Sequence, residues 1–89
     1  IGVLAPLPTS TSLLTVYSKA GDFTSSKGLF EEIYHRDVIA WNAIVSASLE
    51  NNCYKTTIDF LEKMIKAQTG FDSTTLLLMV SASLHLKNF

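Results

Sequence analysis

The chain has 89 residues, which is enough for one small domain and no more. Its 47% hydrophobic and 17% charged residues exclude a disordered or low-complexity protein. The net charge of −1 gives no general attraction to nucleic acid or membranes, and the single cysteine, Cys53, excludes an internal disulfide framework. No apolar run is long enough for a transmembrane helix, so no membrane partner is expected.

The first predicted elements are two helices joined by a tight turn. Apolar residues recur at helical spacing over residues 13–17. Gly21 suits the left-handed position that follows a helix, and Asp22 suits the capping position before the next. We therefore predict a second helix over about residues 23–34.

The same pattern returns further along the chain. Asp37 is suited to cap a third helix, and the pair Asn51-Asn52 predicts its end, because asparagine tolerates a left-handed backbone. A fourth helix is expected to end at Gly70, and a fifth to span about residues 74–86. The predicted apolar face of the fourth helix consists of Ile58, Leu61, Met64 and Ile65.

Internal repetition sets the register of these elements. "VSASL" occurs at residues 45–49 and again 35 residues later, and "LFE" at residues 29–31 aligns with "FLE" 31 residues later. Fixed offsets of this size are typical of stacked repeats. We predict units at 7–37, 38–72 and an incomplete 73–89, with residues 1–6 as a linker or the end of a preceding repeat.

The predicted fold class is therefore an all-α superhelix, a solenoid of about five helices in antiparallel pairs. The first helix of each unit is apolar on more than one face, which stacking between neighbouring units would bury. Because the sequence begins with isoleucine and its third unit lacks a second helix, we expect it to be a segment of a longer array with an exposed apolar edge.

Two stretches carry a family resemblance, "LLTVYSKAGDFTSSKGLFEEIYHRD" and "DVIAWNAIVSASLENNCYKTTIDFLEKM". They resemble the plant pentatricopeptide repeat (PPR) family, in the PLS-type class that mixes short and long motifs. The resemblance makes 7–37 a short motif, 38–72 a standard motif of 35 residues and 73–89 the start of a truncated one. Tetratricopeptide arrays, which also pair helices, have a constant period of about 34 residues.

The resemblance implies modular binding of single-stranded RNA, with about one base recognised per repeat. In the family, the fifth and last residues of a unit choose the base, and the second residue packs between bases. The matching positions here are Asn42, Asp72 and Ile39 in the middle unit, and Thr11, Asp37 and Pro8 in the first. Leu77 is the fifth residue of the third unit and offers no hydrogen bond.

A carboxylate at the last position has a physical preference. Ionised Asp only accepts hydrogen bonds, whereas uracil N3 and guanine N1 carry N–H donors and the equivalent atoms of cytosine and adenine do not. Under the family code, Asn with Asp implies uracil and Thr with Asp implies guanine. The expected contact is therefore 5′-G-U-3′.

Simpler interpretations stand beside this one. The two aspartates can be helix caps alone, and Trp41 is expected to be a core residue. His35 and His85 have no carboxylate or cysteine at ligand spacing, so we expect no metal, no cofactor and no catalytic residue. The alternative function is a helical scaffold for protein–protein interaction of the tetratricopeptide kind.

By resemblance, proteins of the family act in mitochondria or chloroplasts. They take part in RNA editing, splicing or stabilisation, and editing or processing factors are possible partners. We expect this chain not to be an enzyme, because a catalytic domain for editing would have to be supplied elsewhere.

Overall fold

The computed structural model describes residues 10–87, which form five α-helices and no strand. The helices are α1 (Ser10–Lys19), α2 (Phe23–Glu32), α3 (Val38–Glu50), α4 (Tyr54–Ala67) and α5 (Ser73–Lys87). The predicted all-α solenoid of five helices is confirmed. Pro8 and the linker expected at residues 1–6 lie outside the described residues.

Helix α3 is the central element of the segment. Among the described helices, α3 packs against all four others, whereas α1 contacts only α2 and α3, and α5 contacts only α3 and α4. The first helices of the predicted units, α1, α3 and α5, therefore lie side by side. Helices α2 and α4 pack behind them, which is the layering of stacked helical hairpins.

The ends of α1 and α3 are joined by a polar cluster. Ser18 Oγ donates to Glu50 Oε1 at 3.1 Å, and Lys19 Nζ lies 3.4 Å from Glu50 Oε2. Asn51 Nδ2 donates to the Ser18 carbonyl oxygen at 3.3 Å. Since all four residues are at carboxyl-terminal ends, α1 and α3 run in the same direction.

An aromatic group forms the centre of the core. The Phe30 ring packs edge-to-face with Trp41 and with Phe60, at ring-centroid distances of 4.9 and 5.5 Å. Trp41 is only 4% exposed, which confirms the prediction that it is a core residue. The buried apolar residues are Leu14, Phe30, Ala40, Trp41, Ile44, Val45, Ala47, Phe60, Leu61, Met64 and Ala82.

The buried face of α4 differs from the predicted one. Ile65 is 54% exposed, so its assignment to the apolar face was wrong. Thr57 is instead fully buried, because its hydroxyl hydrogen-bonds with Ser48 Oγ at 2.6 Å and with the Cys53 carbonyl at 3.0 Å. Satisfying a buried hydroxyl in this way allows a polar residue to occupy the face that contacts α3.

Two turns at equivalent positions close α1 and α3 as predicted. Gly21 and Asn52 have φ angles of 83° and 60°. The amides of Asp22 and Cys53 each donate to a carbonyl five residues back, at 2.8 Å in both turns. This is the Schellman arrangement, in which a left-handed residue lets the last carbonyls of a helix find donors.

The end of α4 was predicted at the wrong residue. The helix stops at Ala67, and Gln68 has the left-handed φ of 57° while its amide donates to the Ile65 carbonyl at 3.1 Å. Gly70, at φ 89°, lies in the connection that follows. A glutamine can take the capping conformation at some cost, so glycine was not a sufficient marker of the end.

Replacing Asn52 with valine is expected to lower the free energy of unfolding by about 1–3 kcal/mol, because a β-branched side chain is strained at positive φ. Urea denaturation followed by far-ultraviolet circular dichroism measures this. The matched control is Asn52→Gly, which also removes the 2.8 Å hydrogen bond from Tyr54 but suits the backbone. Equal losses for the two variants would contradict a backbone effect.

Candidate nucleic-acid interface

Two aspartates cap the first helices of successive predicted units. Asp37 Oδ1 accepts from the Ala40 amide at 2.9 Å, at the start of α3. Asp72 Oδ1 accepts from the Thr75 amide at 3.0 Å, at the start of α5. Both capping roles anticipated from the sequence are therefore present. Each cap leaves the aspartate itself exposed at the helix end.

The structure brings Asn42 and Asp72 into direct contact. Asn42 Nδ2 donates to Asp72 Oδ1 at 2.9 Å, across 30 residues of sequence. Asn42 is only 8% exposed, whereas Asp72 is exposed to solvent. This contact, between α3 and the residue that caps the start of α5, places an amide and a carboxylate together at one edge of the segment.

Thr75 completes this group. Its Oγ1 donates to Asn42 Oδ1 at 2.6 Å, and it also lies 3.0 Å from Asp72 Oδ1. The Asp72 amide donates back to Thr75 Oγ1 at 3.3 Å, so the two residues cap each other reciprocally. We call Asn42, Asp72 and Thr75 the polar triad.

The triad stabilises the ionised form of the Asp72 carboxylate. Hydrogen bonds from the Thr75 amide and then from the Asn42 side chain hold the pKa of Asp72 below its usual range. An ordinary aspartate is already ionised at neutral pH, and these hydrogen bonds favour the same form. An ionised carboxylate only accepts hydrogen bonds, so the atom that faces it on Asn42 is the amide nitrogen.

The corresponding pair of the first unit is arranged differently. Thr11 lies half-buried in the first turn of α1. Within residues 10–87, no hydrogen bond joins Thr11 to Asp37. The Asp37 carboxylate instead accepts from the Ala40 amide. Ala40 stands 35 residues before Thr75 and has no hydroxyl, so this boundary lacks the third member of the triad.

Two aliphatic residues lie on the same helices. Ile39, three residues before Asn42 on α3, is 65% exposed. Leu77, which takes the place of Asn42 on α5, is 68% exposed. Pro8, the equivalent of Ile39 in the first unit, lies outside the described residues. An exposed aliphatic side chain beside a polar group can contact the face of a planar ligand.

The contact of α3 with α5 also fixes helix direction. The triad joins an early turn of α3 to the first turn of α5, so these two helices run alongside each other in one sense. Since α1 and α3 are likewise joined at their carboxyl ends, the amino-terminal ends of all three first helices face one edge. Thr11, Asp37, Asn42 and Asp72 all lie near that edge.

Thr75 is the member that the sequence interpretation missed. It is fully buried and does not belong to the positions that the family resemblance singles out. The signal was present, because an N-cap residue followed three positions later by a side chain able to bond back is the pattern of a capping box.

Other kinds of site receive no support from the described part of the chain. No group of three or more His, Cys, Asp or Glu side chains there could hold a metal ion. His85 stacks on Tyr54, with ring centroids 4.6 Å apart, and His35 lies edge-on to Tyr34. None of the described helices has the length and hydropathy needed to cross a membrane.

Comparison with known proteins adds evidence from outside the structure. Residues 8–38 match the PPR repeat family. A mitochondrial pentatricopeptide repeat-containing protein of Arabidopsis thaliana is 45% identical over 87 residues, which cover 96% of this chain and 9% of the relative. A chloroplastic one from the same plant is 38% identical over 71 residues, covering 80% of the chain and 8% of the relative.

A second chloroplastic relative from Arabidopsis thaliana is 31% identical over 75 residues, or 84% of this chain and 10% of that protein. The chain thus spans about a tenth of the length of the curated relatives it matches. No solved structure matches it. The repeat match, relatives that align over most of the chain and the stacked helical hairpins agree, and the chain belongs to the pentatricopeptide repeat family.

Proposed function

We propose that this chain is part of a longer repeat array that binds single-stranded RNA with base selectivity. The observation that carries the proposal is the 2.9 Å hydrogen bond between Asn42 and Asp72. It holds a charged acceptor and an amide donor side by side at an edge where Asp72 is open to solvent. A base edge presents donors and acceptors at comparable spacing, so such a pair can recognise one nucleotide.

Uracil is the base that fits this pair. The Asp72 carboxylate accepts from the N3–H of uracil, while the amide nitrogen of Asn42 has a second hydrogen to give to a carbonyl oxygen of the base. Cytosine presents an acceptor at N3 and an amino group at C4, so both of its groups oppose this arrangement. The exposed Ile39 side chain packs against the base face.

For the first unit we propose guanine, contacted by Thr11 and Asp37. With protein and RNA running in parallel, the two units together bind 5′-G-U-3′. Leu77 adds no base-specific hydrogen bond in the third unit. The near-neutral charge of −1 means that this segment contributes little attraction to the phosphate backbone and binds RNA weakly without neighbouring repeats.

The biological setting is proposed from the family. The names of the relatives place them in mitochondria or chloroplasts, and we propose one of these organelles for this protein. Its role there is to select transcripts for processing, including C-to-U editing, without itself being the catalyst. Editing or processing factors are the protein partners that this role requires. The PLS-type division into units at 7–37, 38–72 and 73–89 is part of the same proposal.

A selection from a random single-stranded RNA pool tests the proposal on the natural full-length protein. Adjacent G and U are expected among the enriched positions. Changing them to A and C in a selected RNA should weaken binding by about ten-fold or more, because each lost contact leaves a polar group unpaired. The control changes two unenriched positions. Unchanged affinity after the G-U change would refute the base assignment, and absence of RNA binding would favour the protein-scaffold alternative.

A further inference from the structure

We propose that Thr75, a residue of the following unit, sets the base preference of the middle unit by fixing the orientation of the Asn42 amide. Thr75 is thus a positioning residue that acts through Asn42. The inference rests on the proposed RNA-binding function, and it extends base choice beyond the fifth and last residues of one unit.

The position of the hydroxyl carries this inference. Thr75 is fully buried, so its Oγ1 has to find its hydrogen-bond partners inside the protein. It carries one hydrogen, and Asn42 Oδ1 at 2.6 Å is closer than Asp72 Oδ1 at 3.0 Å. As an acceptor, it takes the Asp72 amide hydrogen at 3.3 Å. The hydroxyl therefore has a donor and an acceptor role within the triad.

Two contacts together define which way the Asn42 amide faces. The Thr75 hydroxyl donates to Asn42 Oδ1, and Asn42 Nδ2 donates to Asp72 Oδ1 at 2.9 Å. The nitrogen has a second hydrogen, so the group left for a ligand is a donor. A donor at this position favours the carbonyl oxygens of uracil and disfavours the amino group of cytosine.

Without the Thr75 hydroxyl, only the contact with Asp72 holds the amide. Leaving the amide oxygen buried without a donor is unfavourable, so the side chain can rotate about that contact and turn the oxygen toward the ligand. An acceptor then faces the base in part of the molecules, and the distinction between a base carbonyl and a base amino group weakens. The first unit has alanine at the equivalent position, Ala40, so its boundary has no such device.

The test is a random RNA selection with the natural full-length protein and five variants, one of which is a control. Asn42→Ala identifies which selected position the middle unit contacts. At that position, Thr75→Val and Thr75→Ala are expected to lower the ratio of U to C by about five-fold, as loss of one hydrogen bond to the amide implies. Thr75→Ser keeps a hydroxyl and is expected to retain the wild-type ratio.

The matched control is Thr57→Val. Thr57 is also fully buried and hydrogen-bonded, but its partners are Ser48 and the Cys53 carbonyl, away from the triad. It should destabilise the fold comparably and leave the ratio of U to C unchanged. A merely structural role for Thr75 would give the two valine variants the same base preference.

The outcomes separate the two proposals. If Asn42→Ala abolishes the preference for U while both hydroxyl-free variants at Thr75 keep it, the positioning role is wrong and the proposed function stands. If the wild-type protein selects no base at any position, both fail. Should Thr75→Val not fold, the comparison of Thr75→Ala with Thr75→Ser gives the same decision.

Discussion

Replacing Phe30 with alanine is expected to lower the free energy of unfolding by about 3–5 kcal/mol, as for other buried aromatic residues. Phe30 is 2% exposed and lies between Trp41 and Phe60, so its removal leaves a cavity bounded by α2, α3 and α4. The Arg36 guanidinium, 4.7 Å from the centre of the Phe30 ring, would lose its cation–π contact as well. A loss of this size approaches the whole stability of a small domain.

Urea denaturation of the 89-residue chain, followed by circular dichroism, measures this loss. Trp41 is the only tryptophan, so its fluorescence reports independently on opening of the same cluster. The control is Tyr34→Ala, which removes an aromatic ring that is 90% exposed and should change stability by less than about 0.5 kcal/mol. If the free energy of unfolding of Phe30→Ala were within about 1 kcal/mol of the wild-type value, the loss would be too small for a core aromatic residue. The aromatic cluster would then not be what holds the units together.

Replacing Asp72 with asparagine is expected to change the preferred base of the middle unit from uracil to cytosine. Two donors already converge on Oδ1 of Asp72, namely the Thr75 amide and the Asn42 amide. In the variant, the amide oxygen must take that place because only it can accept. The amide nitrogen then occupies the position of Oδ2, and a donor replaces an acceptor toward the base.

The affinity for the RNA with U at this position, divided by the affinity for the RNA with C, should fall by about ten-fold or more. The reason is that the hydrogen bond from uracil N3–H to the carboxylate is replaced by two donors that face each other. Fluorescence anisotropy with the natural full-length protein and two matched RNAs measures this ratio. Glu62→Gln removes a charge from an exposed residue of α4 and controls for net charge. Asp37→Asn should instead change the base preference at the neighbouring position on the 5′ side, which the first unit is proposed to contact. Weaker binding to both RNAs with an unchanged ratio would contradict the proposed base contact.

Local chemistry made much of the fold predictable. Gly21 and Asn52 mark the left-handed turns, and Asp22 and Asp37 cap the helices that they precede, because few residue types suit these backbone positions. The repeat offsets supplied what local patterns lack, namely which helices are neighbours. The family resemblance, applied to the units that these offsets define, predicted that Asn42 and Asp72 act as a pair, and the structure places them in contact.

The predictions that failed depend on three-dimensional packing. Ile65 looked like part of an apolar stripe, but the face of α4 that meets α3 is rotated to include Thr57. That rotation is settled by a hydrogen bond to Ser48 on another helix, which periodicity cannot show. Gln68 adopts the left-handed cap in spite of the glycine two residues later. Thr75 was overlooked for a related reason, since its partner Asn42 is 33 residues away.

The polar triad crosses the boundary between two predicted units, and this matters for moving repeats between proteins. A segment transplanted with its last residue at Asp72 would carry Asn42 but take its third triad member from the recipient array. The same two specificity residues would then meet different neighbours in different hosts. For grafting or shuffling, the functional module of this chain therefore extends through the first turn of α5, and a junction placed after Thr75 keeps the triad intact.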